Sequence, residues 1–170
     1  MERLFDGTRM RTVSGLYIDV FNPDPADIDI MDIAIGLSHC CRWGGQLRQH
    51  YSVAQHSVIC SHLLEDYDEE MRLAGLMHDA AEAYMCDLPY PIKAMLPEYK
   101  AVENGLLKAI AKKFGFGFPL PAPVKQADTV MLHVEWDTIV LKADEYDWSR
   151  LWTCGRAADE FLIEFNKLVK

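Results

Sequence analysis

The sequence predicts an all-α, single-domain fold over residues 1–170, an orthogonal helical bundle with a short extended arm at its N-terminal end. Apolar side chains recur at helical spacing along most of the 170 residues. Loose alternation is confined to residues 12–21, and proline and glycine collect at a few places that cut the helical pattern into segments. Half of the residues are hydrophobic and 11% are aromatic, a globular composition on a chain long enough to bury a core without disulfides.

The elements follow in order. Residues 12–21 (TVSGLYIDVF) read as a short strand or extended arm, turned by Asn22-Pro23-Asp24-Pro25. A first helix begins near Asp29 in the run IMDIAIGLSHCC, with Asp27 or Asp29 as N-cap, and ends near Trp43-Gly44-Gly45. A second spans Val53 to Leu64, capped by Ser52, and a third runs from about Asp68 through Tyr84. Pro89, Pro91 and Pro97 make Asp87 to Leu96 a loop with at most one helical turn. A fourth helix fits Glu98 to Phe114, ending at Gly115 and Gly117. A fifth starts near Val124 and continues to about Tyr146, and the last runs from about Arg156 to Leu168.

Charge and cysteine usage narrow the function classes. A net charge of −9 and a pI near 5.0 argue against a protein that tracks a nucleic-acid backbone, which needs clustered Lys and Arg. Five cysteines (Cys40, Cys41, Cys60, Cys86, Cys154) without C-x-x-C spacing read as reduced core thiols of a cytoplasmic protein. Met1 to Gly15 has no continuous apolar run, and no stretch approaches the roughly 20 apolar residues of a spanning helix, so neither secretion nor membrane insertion is expected.

His78-Asp79 sits late in an otherwise apolar stretch (LAGLMHDAAEAY), where an imidazole beside a carboxylate is costly unless paired or bound to metal. Asp79 lacks a cation at i+4. His56 lies among Val53, Val58 and Ile59, and Asp128 lies near the start of a later helix. Taken singly, His56 reads as a core histidine and Asp128 as a first-turn carboxylate, the reading kept for His39, His50, His62 and His133. Together, two imidazoles and two carboxylates from three helices suit one borderline divalent ion with positions left open for water and substrate. Glu82, three positions after Asp79 and four after His78, shares a helix face with both.

The order His56, His78-Asp79, Asp128 resembles the H…HD…D signature of the HD-domain phosphohydrolase superfamily. The segments VAQHSV (53–58), HDAAE (78–82), DLPYPIK (87–93), EYKAVE (98–103) and VKQAD (124–128) are similar in order and spacing to bacterial HD-type 5′-deoxynucleotidases, and more closely to their phage and prophage relatives, over roughly residues 30 to 130. The resemblance implies an HD-domain bundle that hydrolyses the 5′-phosphate ester of 2′-deoxynucleotides. It implies one divalent metal (cobalt, manganese or zinc, with magnesium, nickel or iron also compatible) held by His56, His78, Asp79 and Asp128.

Glu82 then orients or deprotonates water, and Asp87, in its D-L-P-x-P context, donates a proton or positions water. The resembling enzymes carry an Arg-Trp pair at the place of Arg42 and Trp43, which implies that Arg42 meets phosphate and Trp43 packs on sugar or base. Lys93, and less so Lys100, are weaker candidates for phosphate contact. The stretch WGGQ (43–46) departs from the bulkier segment of that family, which predicts a looser base pocket and leaves base preference open.

A deoxynucleoside triphosphate triphosphohydrolase, dATPase-like, is the alternative, because the same O–P bond breaks. A nucleotide-binding sensor is the non-enzyme alternative, and the presence of Glu82 and Asp87 beside every ligand argues against it. Glu82-Ala83 lacks the acidic pair of alarmone hydrolases, and residues 80 to 127 lack the histidines of binuclear phosphodiesterases. The expected partners are a small-molecule deoxynucleotide and further copies of the chain, a dimer or hexamer in bacterial or phage-infected cytoplasm. The aromatic C-terminal portion (Trp148, Leu151, Trp152, Phe161, Phe165) serves either an interface or the core.

Overall fold

Short polar residues start the first three α-helices. In a computed structural model, which describes residues 7–169, the Asp29 carboxylate accepts the Met31 N–H at 2.8 Å to cap α1 (Ile30–His39). Ser52 accepts from Gln55 N–H at 3.1 Å to cap α2 (Val53–His62), and Asp68 from Met71 N–H at 2.9 Å to cap α3 (Glu69–Leu76). Each cap satisfies an otherwise unpaired donor and contributes about 1 kcal/mol. Then follow α4 (Glu82–Met85), α5 (Tyr90–Lys93), α6 (Pro97–Phe114), α7 (Ala122–Glu135) and α8 (Cys154–Leu168). Proline occupies the first turns of α6 and α7, where its missing N–H costs nothing.

The protein is an all-α bundle, with 60% of the described residues helical. Among the described residues the only sheet is a hairpin of β1 (Met10–Arg11) and β2 (Tyr17–Ile18), with Met10 opposite Ile18 and Arg11 opposite Tyr17. The extended arm expected over residues 12–21 is instead a hairpin that begins at Met10, with only β2 and the turn before it inside that range, and it is tied down on the bundle. Ile18 is fully buried, and the Asp32 carboxylate accepts from both the backbone and the hydroxyl of Ser14 at 2.7 Å.

One hydrophobic cluster extends from Ile18 to Leu168. Helix α2 lies at its centre, packed by α1, α3, α7 and α8. Helix α1 packs on α8 and α4. Its approach to α4 requires Gly36, because a Cβ there would lie 2.8 Å from both the Cβ and the carbonyl oxygen of Ala83. Among the described residues no helix is long and apolar enough to cross a membrane.

Four helices are shorter than their apolar patterns predict, α2 by two residues, ending at His62 rather than Leu64, and three by more. Helix α1 stops at His39, where Cys40 turns extended, and the Arg42–Gly45 segment forms a separate turn in which Trp43, Gly44 and Gly45 all have positive φ. The helix expected over 68–84 breaks after Leu76 into tight turns and resumes as α4. The one expected to reach Tyr146 leaves α geometry after Glu135, through a π turn at Trp136–Val140 and a 3-10 turn at Trp148–Arg150. Conversely α8 begins two residues early, at Cys154, because Thr153 caps it.

Phe161 and Phe165 belong to the core. Large apolar groups are left exposed at scattered positions, among them Phe21 and Leu141, and in groups on the 90–96 segment (Tyr90, Ile92, Met95, Leu96) and along α7. All five cysteines are free; Cys60 is buried and the half-buried Cys40 packs against the core, whereas the core-thiol expectation fails for Cys86, which is exposed, and for Cys41 and Cys154, which are half-buried outside the core cluster. Their helix-like runs end before them or leave them at helix edges. Met1 to Asp6 and Lys170, also covered by the single-domain expectation, lie outside the described residues.

Candidate metal centre

Helix α2 delivers His56 to the interior with both ring nitrogens engaged. Nδ1 faces Glu135 Oε1 at 2.6 Å, and Nε2 faces Asp128 Oδ1 at 3.2 Å. His78 arrives from the break between α3 and α4, where the backbone makes i to i+3 bonds: Ala80 N–H to Met77 O at 3.0 Å and Glu82 N–H to Asp79 O at 2.9 Å. The shared α-helical face expected for His78, Asp79 and Glu82 is therefore replaced by a tighter turn, in which residues three apart stack over each other. His78 Nδ1 donates to Gly75 O at 2.7 Å. Its Nε2 is buried and makes no hydrogen bond, although Asp79 Oδ2 stands 3.1 Å away.

The four expected ligands converge. Asp79 Oδ2 is 3.9 Å from His56 Nε2, and Asp128 Oδ1 is 3.7 Å from His78 Nε2. Cys60, one turn after His56, brings its Sγ to 3.5 Å from His56 Nε2. One ligand atom each from His56, Cys60, His78 and Asp128 lies within 4.8 Å of all the others, so this buried group can hold a metal ion. An orphaned buried imidazole nitrogen amid nitrogen, oxygen and sulfur donors is what a divalent ion satisfies.

Burial works against charge at both histidines. Even so their pKa values lie well above the ordinary range, raised at His56 by Cys60 and Asp128 and at His78 by Asp79 and Asp128. Burial likewise opposes ionisation of Asp79 and Asp128, and the two imidazoles overcome it, holding both carboxyls well below the usual range.

Two further acids stand beside the cluster. Glu82, the first residue of α4, is buried; its Oε1 accepts from Lys93 Nζ at 3.2 Å and its Oε2 has no partner. Burial, then Asp79 and Asp87, push its pKa well up. Burial also raises Asp87, against the pull of Arg42. Asp87 follows Cys86, whose φ of 67° and ψ of 157° fall in a region nearly reserved for glycine. Tyr99 OH, donating to Cys86 O at 2.6 Å, and Asp87 N–H, donating to Cys40 Sγ at 3.1 Å, hold that conformation. Lys93 is also paired to Glu103 at 2.6 Å, so two acids compete for its ammonium.

Arg42 and Trp43 are brought in by backbone pairing beside α2, with Arg42 N–H donating to Tyr51 O at 2.8 Å. The Arg42 guanidinium grips Glu135 Oε2 through Nη2 at 2.8 Å and Nε at 3.3 Å, which leaves Nη1 4.0 Å from Asp79 Oδ2. Trp43 takes a φ of 59°, held by its Nε1 donating to Glu135 Oε2 at 3.2 Å and by its ring against Trp136. Gly44 and Gly45 continue in the left-handed region, and a Cβ on Gly44 would meet Pro89 Cγ at 3.0 Å. The backbone path and the close approach of Pro89 account for these glycines. Lys100 is exposed on α6.

Glu135 is the residue that sequence reasoning missed. It is 1% exposed and accepts from Arg42, Trp43, Tyr51 (2.8 Å) and His56. Burial favours its protonated form, but His56 and Arg42 bring its pKa down to about 2. The signal was present: Glu135 is an acid inside the apolar run VMLHVEW, the same anomaly that singled out Asp79. Cys60 carried a signal too, its i+4 spacing from His56.

What the fold and site define is an all-α protein with a buried His/Cys/His/Asp group able to hold a metal ion. No protein-family model matches the chain. It is 45% identical over 128 residues to the uncharacterized protein YfdR of Escherichia coli (strain K12), spanning 74% of this chain and 69% of that one. It is 39% identical over 140 residues to an uncharacterized protein of Rhodobacter capsulatus, spanning 76% of this chain and 71% of the relative. The chain belongs to the family of YfdR and its relatives.

Proposed function

We propose that the protein is an HD-type, metal-dependent phosphohydrolase that cleaves the 5′-phosphate ester of 2′-deoxynucleoside monophosphates and releases the deoxynucleoside. The observation that carries this reading is the convergence of His56, His78, Asp79 and Asp128 from α2, the α3–α4 turn and α7, with His78 Nε2 buried and without a hydrogen bond. Cobalt, manganese or zinc suits such a donor set, with magnesium, nickel or iron as alternatives. A bound divalent ion would neutralise charge on the phosphoryl oxygens and make a coordinated water more acidic.

The chain's own residues divide the remaining work. Arg42, fixed on Glu135 by two of its nitrogens, has Nη1 left to bind a phosphoryl oxygen. Glu82 orients the attacking water and receives its proton. Asp87, whose raised pKa suits a proton donor, protonates the leaving 5′-oxygen. Trp43, held edge-on to Glu135, offers its ring to sugar or base.

The test is a panel of deoxy- and ribonucleoside mono- and triphosphates, with Mn²⁺, Co²⁺ or Zn²⁺ returned to stripped protein and phosphate and triphosphate assayed separately. Phosphate released from deoxynucleoside monophosphates is the expected result. Triphosphate released from dATP would replace the monophosphatase with a triphosphohydrolase. Nucleotide binding without turnover under any metal would make the protein a sensor, and a His78→Ala variant with unchanged metal content would remove the metal site itself.

A further inference from the structure

Cysteine 60 stands where a metal ligand would stand. His56 and Cys60 are four residues apart on α2, so their side chains project from one face of the helix. The sulfur lies 3.5 Å from His56 Nε2, the nitrogen that faces Asp128, and Cys60 is 1% exposed. Ligands at bond lengths of about 2.0–2.3 Å around a tetrahedral ion stand roughly 3.3–3.8 Å apart. The sulfur–nitrogen separation already falls in that range. His78 supplies an independent observation, since its buried Nε2 is unpartnered and belongs to the same group of atoms within 4.8 Å. With its Nδ1 bonded to Gly75 O, that nitrogen is the one the ring presents to the group.

We propose that Cys60 is a direct ligand, adding a thiolate sulfur to the imidazole and carboxylate donors of the metal centre. The proposal rests on the metal reading above. On binding, a metal–sulfur bond forms and the thiol proton leaves to solvent. Its consequence is selectivity. Sulfur favours zinc and cobalt over magnesium, so the protein discriminates among divalent ions more sharply than a site of nitrogen and oxygen alone.

Cobalt reports sulfur ligation directly. Stripped protein is titrated with Co²⁺ without oxygen, following the visible d–d bands and the near-ultraviolet sulfur-to-cobalt charge-transfer band. For the wild type, both sets of bands are expected to saturate together at one equivalent. For Cys60→Ser and Cys60→Ala, which retain the other four cysteines, the d–d bands are expected to persist, the charge-transfer band to vanish and Zn²⁺ affinity to fall at least about 10-fold. X-ray absorption on the zinc-loaded wild type needs no variant and should show one sulfur at about 2.3 Å. Cobalt bound with d–d bands but no charge-transfer band, a zinc shell without sulfur, or a charge-transfer band that survives in Cys60→Ala would overturn the role of Cys60 and leave the metal centre standing. Absence of any bound cobalt or zinc would overturn both.

Discussion

Helix α2 is anchored at each end by a buried glutamate, and the two anchors are built differently. Near its start, His56 and the preceding Tyr51 bond to Glu135; near its end, Ser61 and His62 meet Glu164, at 3.4 Å each. Both acids are almost inaccessible, 1% and 2% exposed. The partners of Glu135 are themselves enclosed, with the Arg42 side chain 10% exposed and His56 completely buried. Glu164 also meets the buried Ser61, but its basic partners reach solvent: Arg72 at 26%, His62 at 55% and Lys167 at 61%. One carboxylate ties together the groups that face the metal centre. The other fastens α8 to α2 and α3. Burial of an acid therefore does not mark a functional site, whereas the destination of its partners does.

That difference is open to direct attack. Glu135→Ala should cost about 3–5 kcal/mol in urea unfolding, because it strands the buried Arg42 guanidinium and frees His56 Nδ1. The milder Glu135→Gln keeps the shape but removes the charge that orients His56 and makes it a better donor. Metal affinity should fall about 10- to 100-fold in equilibrium titration. Equal losses of metal in Glu135→Gln and Glu164→Gln would erase the distinction.

Glu164→Gln should cost less, about 1–2 kcal/mol, since its cations can turn to water, and should leave metal affinity unchanged. Acid sharpens this case. Burial opposes ionisation of Glu164, but Lys167, His62 and Arg72 lower its folded pKa below the ordinary value. A carboxyl depressed on folding stabilises fully above its unfolded pKa and loses that contribution as pH falls through the folded one. The stability gap between wild type and Glu164→Gln should be complete at pH 7 and close below about pH 4. A gap that widens in acid would mean that the carboxylate is not the stabilising form.

The convergence of the candidate ligands was partly legible, because His56, His78 and Asp79 are polar residues set in apolar runs. Asp128, after Lys125 and Gln126 and half-exposed, carries no such signal and was singled out only by its company, whereas the all-α bundle follows from the helical periodicity of the chain. The backbone at the site was not legible. Helical patterning passes smoothly through residues 77–81 and 136–140, yet there the chain adopts tight i to i+3 turns and a π turn that re-aim side chains. Trp43 and Cys86 take left-handed backbone only because Glu135, Trp136 and Tyr99 hold them. Tertiary partners of this kind leave no local trace. Glu135 was missed for another reason: the expected helix to Tyr146 made it look like one more position on a long amphipathic element.

The smallest expected effect decides what holds Glu164. Lys167 contacts Oε2 at 3.2 Å from three residues along the same helix, an arrangement that holds no second element in place. Arg72 reaches Oε1 at 2.6 Å from α3 and is far less exposed. An exposed neighbour on one helix contributes about 0.5 kcal/mol or less, so Lys167→Ala should barely shift the unfolding midpoint. Arg72→Ala should approach the loss seen in Glu164→Gln, and the double variant Arg72→Ala, Glu164→Gln should be no worse than either alone. If Lys167→Ala costs as much as Arg72→Ala, the far end of α2 is held by charge within α8 rather than by a bridge between helices. The two ends of α2 would then differ in architecture as well as in purpose.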